Sequence, residues 1–233
     1  MSSTVEYQLT DSVATITMDD GKVNVLSPAM QGNLNEALDR AEQDGAKAVV
    51  LAGNSRVFSG GFDLSVFSSG DVDAALGMLR GGFELAVRAL TFPVPVIMAA
   101  TGPAIAMGSF LLLCGDHRVG SERTRCQANE VAIGMILPVA ALEIMRMRLT
   151  PAAYQHAVSL ATTFTGDAAI RAGWLDEVVD TDRVLPRARE FAAEVATTVH
   201  AHAHLASKLK ARDAALKAIR AGIDGIATEF TGG

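Results

Sequence analysis

Hydrophobic positions recur along the chain with two periods, one of strands and one of helices. Val5, Tyr7 and Leu9, then Val13, Ile16 and Met18, follow a near-alternating pattern broken by Thr10-Asp11-Ser12, so the chain is expected to open with a hairpin. Ser27-Pro28 then supplies an N-cap and a favoured first helical residue, after which Met30, Leu34, Ala37, Leu38 and Ala41 keep a helical period to about Gly45. Ala48–Ala52 reads as a strand. A second helix is predicted over 73–90, with Leu76, Leu79, Phe83, Ala86, Val87 and Leu90 on its buried face, followed by a strand over 94–100. Both strands are continuously apolar, as expected where a sheet is covered on both faces in an α/β core.

Beyond Asp116, HRVGSE and RCQA read as short strands and PVAALEIMRMRL as a helix. Thr150-Pro151 and Thr165 are placed to cap two further helices, and Glu177-Val178-Val179 is the last predicted strand. The pattern is almost wholly helical from 182 to 230. The expected organisation is an α/β body over 1–181 and a helical C-terminal region over 182–233, with no internal repeat and no low-complexity linker.

Composition narrows the class. Of 233 residues 49% are hydrophobic and 20% charged, the balance of a globular chain with a large core rather than of a disordered one. The net charge of −6 gives no field that attracts nucleic acid, so no nucleic-acid partner is expected. Residues 89–115 carry no formal charge, a run long enough to cross a bilayer. Pro93, Pro95, Gly102, Pro103 and Gly108 interrupt any continuous helix there, so the segment is read as strand, turn and helix in the core, and no membrane partner is expected. The N-terminal MSSTVEYQLTDS lacks the basic and apolar regions of a secretory signal, which points to a cytoplasmic protein. Cys114 and Cys126 form no CxxC pair and are read as buried, reduced thiols.

Three clusters carry candidate chemistry. His200, His202 and His204 suggest a metal motif, but on a helix residues two apart face nearly opposite ways, and no metal is expected. Lys208, Lys210, Arg212, Lys217 and Arg220 form a basic patch that is either a solvated helix face or a site for a phosphate-bearing ligand. The third cluster is a pair of glycine turns, FSGGFDL and TGPAIAMG, each following an apolar strand. Glycines there permit close approach of a ligand, and the helix predicted to begin near Ala106-Met107-Gly108 has first N–H groups without intrahelical acceptors, which suits an oxyanion. Neither turn matches a Walker A or GxGxxG fingerprint.

The ordered set KAVVLAGNSRVFSGGFDL, VPVIMAATGPAIAMGSFLLLCGDHRV, ANEVAIGMILP and LTPAAYQHAVSLATTFTGDAAIRAGWLDEVV, with DDGKVNVLSPAM before it, resembles the crotonase superfamily, the enoyl-CoA hydratase/isomerase family. It especially resembles actinobacterial members named as enoyl-CoA hydratases, which share the FSGGFDL and IAMG variants. The resemblance implies a crotonase (ClpP-like) α/β fold, a ββα superhelix whose helical C-terminal trimerisation region supports homotrimers or hexamers built as dimers of trimers. It implies an acyl-CoA thioester substrate, with coenzyme A present only as part of that substrate and no other cofactor. By motif the thioester oxygen would receive the backbone N–H groups of Phe62 and Met107. Lys22, Val25, Gly61, Asp63, Gly108, Phe110 and Lys208 would border the acyl-CoA, with Lys22 and Lys208 nearest its phosphates.

Hydratases of the family add water with two glutamates. Carried onto this chain, those positions are Phe110 and Glu130, so one carboxylate is missing; the glycine-rich stretch common after the second is here Leu137–Leu142. An oxyanion hole with a single glutamate resembles the Δ3,Δ2-enoyl-CoA isomerases, in which one base moves a proton between C4 and C2. The expected function is therefore isomerisation of an enoyl-CoA through Glu130. The alternatives are a 2-enoyl-CoA hydratase of fatty-acid β-oxidation, with a carboxylate such as Glu84 or Glu143 supplied by folding, and a noncatalytic acyl-CoA-binding protein.

Overall fold

The computed structural model describes residues 4–231; the first three and last two positions of the two expected regions lie outside the described residues. Strands β1 (Val5–Thr10) and β2 (Val13–Met18) form the hairpin, with positive φ at both turn residues, Asp11 and Ser12, as a two-residue turn of type I′ requires. Helix α1 (Pro28–Gln43) begins with Met30 N–H donating to the Ser27 hydroxyl. There follow β3 (Ala48–Ala52), the five-residue α2 (Leu64–Ser68), α3 (Val72–Thr91), β4 (Val96–Ala100), β5 (Ala104–Ile105) and α4 (Met107–Leu113). The chain continues through β6 (His117–Gly120), β7 (Cys126–Gln127), α5 (Val139–Arg148), α6 (Pro151–Leu160), α7 (Gly166–Ala172), β8 (Glu177–Val178), α8 (Val184–Thr198) and α9 (Ala201–Thr231). Helices α6 and α7 start at the residues after Thr150 and Thr165, but neither threonine side chain makes the expected capping bond.

The main sheet has the order β1-β2-β3-β4-β6-β8, antiparallel only at the hairpin, and β5 pairs with β7 in a small parallel sheet beside it. Alternate residues of β3 and β4 serve two cores. Val49, Leu51, Met98 and Ala100 face the larger one, with α1, α3 and α4; Val50, Ala52, Ile97 and Ala99 meet Val184, Ala188 and Ala192 of α8. That double cover is why both strands read as unbroken apolar runs.

Leu216, Ile219, Ile223 and Ile226 form the buried stripe of α9, which packs on α3 and α5. Its basic residues correct the expectation for Lys208. The Lys208 ammonium is buried and donates to Asp116 (2.7 Å) and to the Phe92 carbonyl (3.1 Å), while Arg212 donates to Asp116 and to the Leu90 carbonyl, each at 2.7 Å. The two cations thus satisfy carbonyls at the C-terminal end of α3, where positive charge is favoured. Burial disfavours the Asp116 carboxylate, and the two cations more than reverse this, holding its carboxyl below the ordinary range. Lys208 is committed to the fold rather than free for a ligand phosphate. In the same region His204 lies 3.8 Å from Asp116, while His200 and His202 are exposed.

Residues 89–115 form the end of α3, β4, β5 and α4. Among the described residues no helix is long and apolar enough to cross a membrane. Cys114 and Cys126 are buried and free, and desolvation pushes each thiol up to about 12.

Candidate active site

The loop after β2 is built around two polar side chains. The Asp20 carboxylate accepts the N–H groups of Lys22, Asn24 and Val25, at 2.7 to 3.0 Å. Asn24, fully buried with φ 52°, donates to the carbonyls of Met18 and Phe58 and accepts the Ser59 hydroxyl at its own carbonyl (2.7 Å). The Gly61 N–H donates back to that hydroxyl, and Leu26 N–H donates to the Gly61 carbonyl at 2.7 Å. These bonds fasten the first glycine turn to the Lys22–Leu26 loop, and Val25 bridges Gly61 directly.

The second glycine turn is drawn against the first. Ile105 N–H donates to the Ser59 carbonyl (3.0 Å), and Ser59 bridges Ala104. Gly61 has φ +92°, and a Cβ there would stand 2.9 Å from the Ile105 carbonyl oxygen and 3.3 Å from the Met107 nitrogen; a Cβ at Gly108 would stand 2.5 Å from the Ser59 carbonyl oxygen. Ala106, which precedes Met107, adopts φ 49° and ψ −128°, a conformation that costs a non-glycine residue roughly 1–3 kcal/mol and is held by the surrounding turn. Met107 opens α4, so its N–H has no intrahelical acceptor. Among the described residues, neither the Phe62 nor the Met107 N–H donates to a protein acceptor.

Beside these donors is a cavity of about 80 Å³ with largely apolar walls from Phe62, Leu79, Phe83, Phe110 and Met135. The Phe62 ring lies across Gly82 of α3, where any Cβ would collide with it. Phe110 is 1% exposed and stacks on Phe83. Glu130, in a short 3₁₀ turn over Glu130–Ile133, projects into this wall; it is 7% exposed and its Oε2 has no hydrogen-bond partner. Desolvation pushes its carboxyl from an ordinary 4.5 up to about 7. A buried carboxyl poised near neutrality is the state a general base needs.

The structure therefore brings Glu130, Phe110 and the Phe62 and Met107 turns together. It does not bring the other considered carboxylates in: Glu84 is half exposed and 4.0 Å from Arg220, and Glu143 is 3.2 Å from Arg146. Asp63 is occupied as the N-cap of α2, accepting the Ser65 N–H. Lys22 lies on a separate opening that also presents Arg56 and Arg125 and is bordered by Gly60 and Ile105, neighbours of the two glycine turns. Nothing local in the sequence marks either arginine. Nor does the sequence mark Glu229, an exposed residue of α9 on the cavity rim that accepts the Val139 N–H at 3.0 Å.

The model of the enoyl-CoA hydratase/isomerase family matches residues 8–229. The chain is similar to a solved Mycobacterium tuberculosis structure named as an enoyl-CoA isomerase, with 58% identity, 98% of this chain and 100% of that one covered, and a TM-score of 0.95. It is equally similar to the Mycobacterium ulcerans structure named enoyl-CoA hydratase, EchA3, with 57% identity, 97% and 99% coverage and a TM-score of 0.95. The human mitochondrial Δ3-Δ2-enoyl-CoA isomerase shares the fold, at a TM-score of 0.87 over 98% of this chain and 95% of that one with 22% identity. Names at nearly equal identity fall on both reactions, so the choice between them returns to the residues of the cavity.

Proposed function

Since the chain belongs to the enoyl-CoA hydratase/isomerase family, we propose that among that family's reactions it catalyses isomerisation of a 3-enoyl-CoA to the 2-enoyl-CoA, with Glu130 as the proton-carrying base. The observation that carries this reading is a buried carboxylate whose Oε2 has no hydrogen-bond partner, lining an apolar cavity together with Phe110. Glu130 takes the proton from C2, the electron pair of that C–H bond forms a C1–C2 double bond, and the carbonyl pair moves onto the thioester oxygen, leaving a dienolate conjugated with the C3–C4 double bond. The Phe62 and Met107 N–H groups receive the oxygen's developing charge, each donor of this kind contributing about 3 kcal/mol to the transition state. As the carbonyl re-forms, the C1–C2 pair becomes the C2–C3 double bond and the former C3–C4 pair takes the same proton from Glu130 at C4. Atoms balance without water, and the apolar wall at Phe110 disfavours a water positioned for addition.

The phosphates of coenzyme A are proposed to lie against Lys22, Arg56 and Arg125, on the opening that borders the glycine turns. Copies of the chain are proposed to assemble as trimers, singly or in pairs, through the helical C-terminal region; a monomeric mass in light scattering would contradict this. Glu229 is the observation on the side of the hydratase reading, because it places a second carboxylate on the cavity rim, though one already bonded to the start of α5.

Glu130→Gln tests the proposal. Turnover of a 3-enoyl-CoA is expected to fall by about three orders of magnitude, while affinity for a saturated acyl-CoA changes by less than about threefold. Retained turnover in a folded variant would remove Glu130 from the mechanism.

A further inference from the structure

Five phenylalanines line the cavity in an order that runs from its floor to its mouth. Phe110 stacks on Phe83 at 6.5 Å between ring centroids, Phe83 meets Phe62 edge-on at 6.1 Å, Phe62 meets Phe67 edge-on at 6.3 Å, and Phe67 meets Phe230 at 6.1 Å. Exposure rises along the series, from 1% at Phe110 and Phe83 to 37% at Phe230. The outermost pair joins elements distant in sequence: Phe67 belongs to α2, a five-residue helix with no buried residue, and Phe230 to the last turn of α9. That turn is held by Ile226 in the core and by Glu229, whose carboxylate accepts the Val139 N–H.

We propose that Phe67 and Phe230 form a gate that limits the length of the acyl chain and makes short-chain acyl thioesters the preferred ligands. The inference rests on the acyl-CoA reading of this cavity and adds a substrate class to it. An engineered cavity of about 150 Å³ accommodates benzene, so the roughly half-sized space here has room for about three carbons. A longer chain therefore reaches the mouth and meets the Phe67–Phe230 pair. Beside that pair, Ile136 (77% exposed) on the cavity rim offers apolar surface along which such a chain would run once the rings part. Because Phe230 is partly exposed at the end of a helix, shortening it widens the mouth without hollowing either core.

The test uses saturated acyl-CoAs from butyryl to dodecanoyl, which bind without turnover, titrated calorimetrically into the wild-type chain and the variants Phe230→Ala and Phe230→Trp. The wild type is expected to bind butyryl-CoA at least about tenfold more tightly than dodecanoyl-CoA, against the trend of apolar burial, which favours longer chains. In Phe230→Ala the long-to-short affinity ratio is expected to rise about tenfold, as added methylenes gain burial, and in Phe230→Trp to fall. A ratio unchanged in both variants, or a wild type that prefers dodecanoyl-CoA, would overturn the gate while leaving the acyl-CoA reading in place. Absence of saturable binding of every acyl-CoA to the wild type would overturn that reading and the gate with it.

Discussion

Replacing Glu130 with Gln keeps the shape of the side chain while removing a carboxyl that desolvation has pushed from an ordinary 4.5 to about 7. Folded protein holds the Glu130 proton up to about pH 7, whereas unfolded chain releases it near 4.5, so between those values the folded state binds more protons. Stability then falls as pH rises through that window and levels off above it. Each tenfold change in proton affinity is about 1.4 kcal/mol, so keeping Glu130 ionised inside the fold costs about 3 kcal/mol at pH 8. Gln carries its own penalty, an amide facing an apolar wall, of about 1–3 kcal/mol, but that penalty is independent of pH. Urea unfolding of both proteins at pH 5 and pH 8, at one protein concentration because any association shifts the midpoint, isolates the pH-dependent part. The stability difference, variant minus wild type, is expected to be larger at pH 8 than at pH 5 by about 2–3 kcal/mol. Equal differences at the two pH values would refute the claim that the fold holds a buried carboxyl of raised proton affinity at this position.

Three further outcomes follow from the same geometry. The kcat/KM for a 3-enoyl-CoA should fall about tenfold per pH unit below 7 and be flat above it, since the ionised Glu130 is the active form; a flat profile from pH 5 to 8 would contradict this. Gly108→Ala should destabilise by about 1–3 kcal/mol and depress turnover, because the new Cβ would stand 2.5 Å from the Ser59 carbonyl oxygen, as thermal unfolding beside an activity assay would show. Lys208→Met should cost about 3–5 kcal/mol by leaving Asp116 short of one partner in a buried pair, with the acyl-CoA affinity of the folded fraction unaltered. A selective loss of CoA affinity without loss of stability would return Lys208 to the ligand.

How much of this was legible in the sequence differs by kind of interaction. Strands β3 and β4 were readable because burial on both faces leaves an unbroken apolar run, and α1 because Ser27-Pro28 marks its start and an apolar stripe its length. The positions of Phe62 and Met107 came from family resemblance; the strain at Ala106 that accompanies them had no signal, since alanine does not advertise positive φ. Side-chain roles that depend on distant partners were hidden. The sequence leaves the role of Lys208 open because Asp116 lies 92 residues away, and nothing in it marks the Phe62 ring, whose seat at Gly82 of α3 appears only on folding. Glycine inside an otherwise amphipathic helix was the one available hint of that seat. Glu229 was unreadable for the same reason, since the N-terminus of α5 that it satisfies is 90 residues earlier.

The proposed reaction moves a proton without adding water in a cavity whose walls include both Glu130 and Phe110. Mass-resolved time courses on 3-butenoyl-CoA and on 2-butenoyl-CoA, each with the wild-type protein, measure this. The first is predicted to give 2-butenoyl-CoA of unchanged mass and the second to show no gain of water. Addition of water to 2-butenoyl-CoA at a rate equal to or above the isomerisation rate would contradict it.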